Sequence, residues 1–209
     1  METTFFRFAN KSDENPQRVY STILLSVGFT STLFIAMVVL FLHPIAQAMG
    51  YADHPSYIWV MATTVAIDAF QCIPFAYLRY QKRPIKFATL KLLFVGSNIS
   101  LNLIYYLLLP ALYEGGHQWV NLIYSPSVGA GYAFYINLVC TASITFCFYK
   151  ELRGFAYVFD KALLKRMLSY SWPILVLGIA GILNQTADKI LFPYIYKGSD
   201  AHTQLGIYG

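Results

Sequence analysis

The chain has 209 residues, of which 57% are hydrophobic and 12% are charged, and its formal net charge is +5. A soluble domain carries about 25% charged residues, so the composition excludes an ordinary soluble domain and indicates an integral membrane protein. The cations sit in short segments between long apolar runs, which predicts contact with anionic lipid and excludes a nucleic-acid partner.

Five apolar runs follow one another along the chain. Each is at or above the roughly 20 residues that a helix needs to cross about 30 Å of hydrocarbon. Helices satisfy their own backbone hydrogen bonds in lipid, so the predicted fold class is all-α, a polytopic membrane helix bundle with five transmembrane helices. The predicted spans are residues 19–42, 57–78, 87–109, 128–149 and 172–196.

The Lys and Arg residues predict the orientation of these spans. Of the 15 in the chain, twelve lie in segments 1–18, 79–86 and 150–171, and the connections 50–56 and 110–127 carry none. Connections rich in Lys and Arg remain cytoplasmic. The pattern therefore predicts a multi-pass protein with a cytoplasmic N-terminus.

The connection 150–171 differs from the other connections. Apolar residues recur in it with roughly helical period and charges lie between them, which predicts an amphipathic helix on the cytoplasmic surface. The alternative is a long ordinary loop. With the helix, the chain divides into 1–149 with four spans, the connecting helix 150–171, and 172–209 with the fifth span.

Polar residues inside the spans fall on stripes with helical spacing. Such stripes are costly against lipid, so they are expected to face the bundle interior or a water-filled cavity. The alternative is that they serve hydrogen bonding between helices and nothing more. The stripes are Thr64, Asp68 and Gln71 in the second span, Lys91, Asn98 and Asn102 in the third, Asn137, Thr141 and Thr145 in the fourth, and Gly178, Gly181, Asn184 and Asp188 in the fifth.

Two carboxylates within the spans are candidates for ion coupling. Asp68 lies near the middle of its span, where an unpaired charge costs at least roughly 2.5–3.5 kcal/mol. Asp188, in the outer third of the fifth span, is the second candidate, and for both the alternative is a structural partner on a neighbouring helix. The acids are otherwise dispersed and the histidines lack ligand spacing, so neither a metal site nor a cofactor is predicted.

Several segments resemble one known family. The stretch IPFAYLRYQKRPIKF at 73–87, the stretch MLSYSWPI at 167–174 and the closing LGIYG at 205–209 resemble bacterial polysaccharide flippases of the Wzx type. This family belongs to the multidrug/oligosaccharidyl-lipid/polysaccharide exporter superfamily, whose members carry a dozen or more helices in two lobes around a central cavity. The resemblance implies that the chain is part of a two-lobe exporter fold. Because it has five spans, it looks like an internal fragment of such a protein.

The resemblance also implies a function. The implied protein is a flippase and not an enzyme. Such a flippase moves undecaprenyl-pyrophosphate-linked oligosaccharide units across the bacterial cytoplasmic (inner) membrane, for the synthesis of surface polysaccharide such as O-antigen or capsule. The expected partners are the lipid-linked oligosaccharide and membrane lipids, with other polysaccharide assembly proteins as further candidates. Arg7 and Arg79 are candidates to bind the pyrophosphate, although ordinary anchoring of cytoplasmic segments is the alternative. The candidates to bind the sugar are Asn98, Asn102, Asn137 and Asn184.

Two other classes of protein remain open from the sequence. A drug/cation antiporter of the same superfamily would share Asp68 as its ion site. A membrane enzyme such as a polyprenyl-phosphate glycosyltransferase or an acyltransferase is less favoured, because neither a DxD pair nor a His followed five residues later by Asp occurs in the chain.

Overall fold

A computed structural model describes residues 1–10, 14–48, 50–51, 54–115, 124–125, 128–129, 131–153 and 157–195. Within these ranges every regular element is a helix, which confirms the predicted all-α helix bundle. The helices are α1 (Glu2–Ala9), α2 (Pro16–Leu40), α3 (Leu42–Ala48), α4 (Pro55–Tyr80), α5 (Pro84–Leu103), α6 (Leu109–Glu114), α7 (Gly131–Cys147), α8 (Tyr149–Leu152) and α9 (Lys161–Ile195), and a π-helical turn at Ile104–Leu108 joins α5 to α6.

Four helical segments in the described part of the chain are long and apolar enough to cross a membrane. They are Pro16–Leu40, Pro55–Tyr80, Pro84–Tyr113 and Lys161–Ala187, with mean hydropathies of 2.4, 1.5, 1.7 and 1.5. These helices fit the predicted multi-pass membrane protein. The remaining predicted span, 128–149, is shorter than expected: α7 has 17 residues, which at 1.5 Å per residue is about 25 Å, the low end of what a crossing helix needs.

Local sequence explains where the main helices begin and end. The side chain of Asn15 accepts a hydrogen bond from the Gln17 N–H at 3.0 Å, and Pro16 occupies the first helical position of α2. At the end of α4, Lys82 adopts a left-handed φ of 55°, and the Arg83 N–H donates to the Leu78 carbonyl at 3.1 Å. This is the Schellman ending of a helix. Pro84 then starts α5, so α4 and α5 are joined by a turn of three residues.

The first helices pack around α4. Half of the most apolar stretch of α4 is buried, compared with 17% for that of α2 and 6% for that of the segment Pro84–Tyr113, so α4 is the central helix of this group. At one end the Phe5 ring of α1 lies edge-on to Tyr20, Tyr77 and Tyr80, with centroid distances of 6.3, 6.3 and 5.7 Å. A buried cluster near the same end joins α4, α5 and the end of α7 through Phe75, Leu78, Leu90, Ile144 and Phe148.

The chain divides into two compact units, residues 1–160 and 161–209. The boundary between the units falls within the connection 150–171, which is not the single amphipathic helix that the sequence predicts. Residues 157–160 are not helical, and 161–171 are the first turns of the continuous helix α9. Two side chains of α2 hold the Val158 carbonyl, with Ser21 Oγ donating at 2.8 Å and Thr22 Oγ1 at 3.3 Å. That carbonyl is thus taken by side chains of another helix and cannot serve a helix of its own. Residues 154–156 of the predicted helix lie outside the described residues.

Candidate functional site

Three helices of the first unit form a polar groove, named here the amide groove. Asp68 comes from α4, Asn98 and Asn102 come from α5, and Asn137 comes from α7. The groove has a volume of about 570 Å³, and the rest of its lining is apolar. Four of the eight residues predicted to bind substrate or ions therefore lie together.

The three asparagines are linked by hydrogen bonds across the α5–α7 contact. Asn98 Nδ2 donates to Asn137 Oδ1 at 3.3 Å. Asn102 Nδ2 donates to the Asn98 carbonyl at 2.8 Å and to Asn98 Oδ1 at 3.0 Å. A side-chain amide has two N–H donors and an oxygen with two lone pairs, so these bonds leave capacity on the amides for a ligand in the groove.

Asp68 is the acidic group of the amide groove. Its side chain is exposed to the groove rather than buried between helices. Lys91 of α5 acts on it electrostatically, while the Lys91 Nζ atom lies 4.3 Å from the centroid of the Phe75 ring. A cation over an aromatic face is a favourable arrangement. The carboxylate thus feels a nearby positive charge and still faces the groove.

Thr64 and Gln71 were predicted to share a face with Asp68, and the structure separates them from it. Both are buried, each 5% exposed. Gln71 Nε2 donates to the Thr141 carbonyl and to Thr145 Oγ1, both at 2.7 Å. Residues three apart differ by about 60° in direction around a helix, so Gln71 enters the α4–α7 interface while Asp68 faces the groove. Thr145 belongs to this interface with Gln71, whereas the Thr141 side chain interacts with Asp68, and neither threonine lines the amide groove.

The two predicted pyrophosphate-binding arginines lie elsewhere in the first unit. Arg79, at the end of α4, forms an ion pair with Glu2, and its guanidinium lies 5.5 Å from the Phe6 ring and 5.3 Å from the Phe87 ring. Arg79 is eleven residues after Asp68 on the same helix, which is about 16 Å. Arg7 is exposed in the last turn of α1. Neither arginine lines the amide groove.

The other two predicted residues belong to the second unit. Asn184 is exposed on α9. Asp188 falls within the same helix, but its side chain lies outside the described residues. Both residues therefore belong to a different compact unit from the residues that form the amide groove.

The sequence pattern does not predict the ion pair that the structure shows between Glu151 and Lys86. The Glu151 side chain on α8 is 4% exposed, and Lys86 Nζ of α5 donates to its Oε1 at 2.5 Å. Glu151 Oε2 is buried without a hydrogen-bond partner among the described residues. The Tyr20 hydroxyl of α2 donates to the Glu151 carbonyl at 3.2 Å, so three helices meet at this residue. Its only sequence signal is weak: Glu151 is the sole acid between Glu114 and Asp160.

No protein-family model matches the chain, and comparisons with curated proteins and with solved structures give no match either. The fold and the groove by themselves define a multi-pass helical membrane protein with one carboxylate and three amides gathered between its helices. In the described part of the chain no three His, Cys, Asp or Glu residues cluster to hold a metal ion. The chemistry that the groove offers is hydrogen bonding to neutral polar groups and attraction of a small cation.

Proposed function

We propose that the chain belongs to a transmembrane flippase for polyprenyl-pyrophosphate-linked oligosaccharides, acting in the bacterial cytoplasmic membrane. The observation that carries the proposal is the convergence of Asp68, Asn98, Asn102 and Asn137 in one groove between apolar helices. Polar groups at membrane depth are expensive unless they face one another, water or a ligand. A sugar offers hydroxyl groups in every direction, and amides match them because they both donate and accept.

The position of Arg79 supports a particular orientation of the substrate. Arg79 lies about 16 Å along α4 from Asp68, a length of a few sugar rings. The pyrophosphate would bind at this end and replace Glu2 as the partner of Arg79, because a guanidinium binds phosphate in bidentate geometry. The sugars would extend into the amide groove, while the polyprenyl tail stays among the lipid chains.

The same groove also favours a second candidate, a drug/cation antiporter. The specific observation is that a carboxylate lies among amide oxygens, which is a suitable set of ligands for a small hard cation. In an antiporter Asp68 would carry the exchanged cation, and the asparagines would only support it. The two functions therefore differ in what removal of the asparagines does.

The test removes the amides while the carboxylate is kept. In a host strain that lacks the native gene, the double variant Asn98→Ala and Asn137→Ala is expected to accumulate normally in the membrane and to lose surface polysaccharide. Ser143→Ala is the matched control, since Ser143 is exposed on α7 and donates to the carbonyl of Val139 in its own helix. Normal polysaccharide in the double variant would contradict the flippase. Drug sensitivity of an Asp68→Asn variant without loss of polysaccharide would favour the antiporter.

A further inference from the structure

The turn between α4 and α5 and the first three residues of α5 carry a cluster of cations, and residues 81–86 are named here the basic turn. A cavity of about 610 Å³ opens on it, and nearly all of its lining is apolar, although Lys82, Arg83 and Lys86 are among the residues that form it. The aliphatic side chain of Ile85 lines the same cavity and is 82% exposed. An apolar open space thus lies beside residues that carry cationic end groups, which suits a ligand with both an apolar and an anionic part.

Two of the three cations of the basic turn are not engaged by the protein. Lys86 pairs with Glu151, which holds its ammonium in place. Lys82 and Arg83 have no side-chain hydrogen bond or ion pair with any residue that the structure describes. In addition, the first turn of α5 contains no acidic residue and no side-chain cap. Positive charge at this point is therefore not neutralised from within the described chain.

The backbone of the turn has an unusual conformation at Lys82. Lys82 has the left-handed φ of 55° that glycine adopts without steric hindrance and that lysine does not favour. The Lys82 N–H donates to the Arg79 carbonyl at 3.1 Å, so the ending of α4 holds this conformation. The protein thus has a cationic side chain at a position where a small residue would fit better.

The position of the turn identifies the ligand. It joins two of the helices that are long enough to cross the membrane, so it lies where both leave the hydrocarbon. At that level the most abundant anions are the phosphates of lipid headgroups, and Lys and Arg near such a surface are attracted to them. The exposed Ile85 beside the cations suits an amphipathic ligand, because its side chain can contact the glycerol and upper acyl region.

From these observations we propose that the basic turn binds the headgroup phosphate of an anionic phospholipid through Lys82 and Arg83. The proposal does not depend on the proposed transport function, since it uses none of the residues of the amide groove.

The experiment measures lipid binding to the full chain in neutral detergent by native mass spectrometry. The probes are dioleoyl-phosphatidylglycerol and dioleoyl-phosphatidylcholine. We expect tighter binding of phosphatidylglycerol, and we expect Lys82→Gln and Arg83→Gln each to weaken it about fivefold and together about 25-fold, from the roughly 1 kcal/mol that each cation near the surface contributes. Binding of phosphatidylcholine should not change.

Two further variants separate the site from general charge and from folding. Lys150→Gln removes an exposed cation of α8 and changes the net charge equally, but Lys150 does not line the cavity of the basic turn. If a site and not overall charge holds the lipid, this variant should alter phosphatidylglycerol binding less than about twofold. Lys82→Gly removes the ammonium but suits the left-handed backbone, so lipid binding should weaken while thermal stability is retained or rises.

Three results would overturn the proposal. Equal losses in Lys150→Gln and in the Lys82 and Arg83 variants would mean that overall charge, not a site, attracts the lipid. Equal affinity for the two lipids would mean that the phosphatidylglycerol headgroup is not recognised. Displacement of phosphatidylglycerol by glycerol phosphate at equal concentration would mean that the turn binds soluble phosphate.

Discussion

The Lys86–Glu151 pair predicts an asymmetric response to mutation. The Glu151 side chain is 4% exposed, whereas 32% of the Lys86 side chain is exposed. Removing one partner of a buried ion pair costs about 3–5 kcal/mol, because the remaining charge is left without compensation. Which partner is removed should therefore decide the size of the effect.

Lys86→Met leaves the Glu151 carboxylate buried with both oxygens lacking a partner in the described part of the chain, since Oε2 already has none. We expect a loss of about 3 kcal/mol in the free energy of unfolding, the low end of the range because the pair is not fully buried. Glu151→Gln keeps the shape and an oxygen that accepts from Lys86, whose ammonium reaches water. That change should cost only about 1 kcal/mol.

The assay is reversible unfolding of the full chain in mixed micelles, with increasing fractions of a denaturing detergent. A double variant, Lys86→Met with Glu151→Leu, replaces both charges by apolar groups and should be at least about 1 kcal/mol more stable than Lys86→Met alone. If Glu151→Gln destabilises the protein as much as Lys86→Met does, burial of the carboxylate is not the controlling factor and the reasoning fails.

Three further predictions concern the helix interface, the amide groove and the topology. Gln71→Leu should lower the free energy of unfolding by about 1–3 kcal/mol, since it removes two hydrogen bonds of 2.7 Å to α7, whereas the exposed Ser143→Ala should change it by less than about 0.5 kcal/mol; equal effects would argue against the Gln71 contact. Asp68→Asn should reach the membrane at normal abundance and lose polysaccharide export, while Asp68→Glu should keep part of the export. Wild-type export by the Asp68→Asn variant would contradict a role of Asp68 in ion coupling. A reporter fused after Glu114 should be active outside the cytoplasm and one after Arg153 inside it, and a cytoplasmic signal at Glu114 would contradict the predicted orientation.

The sequence by itself determined the class of fold and the approximate helices. Backbone groups in lipid must be satisfied within the segment, so a long apolar run can be read as a helix without knowledge of its neighbours. The predicted second span at 57–78 lies within Pro55–Tyr80, and the helix that spans 19–42 in the prediction begins at Pro16, where Asn15 and Pro16 provide the local signals of a start. The common stripe of Asn98 and Asn102 was likewise readable from helical spacing, and both line the amide groove.

The tertiary structure decided which residues of a stripe meet which neighbour. Helical spacing grouped Asp68 with Gln71, but a difference of about 60° in direction is enough to place one in a groove and the other in an interface. Ion pairs depend still more on the fold: Arg79 meets Glu2 across 77 residues, and Lys86 meets Glu151 across 65. Periodicity describes the faces of a single helix. Whether a face meets lipid, a groove or a charged partner depends on how the helices are rotated and packed, because charges attract according to their distance in space and not along the chain.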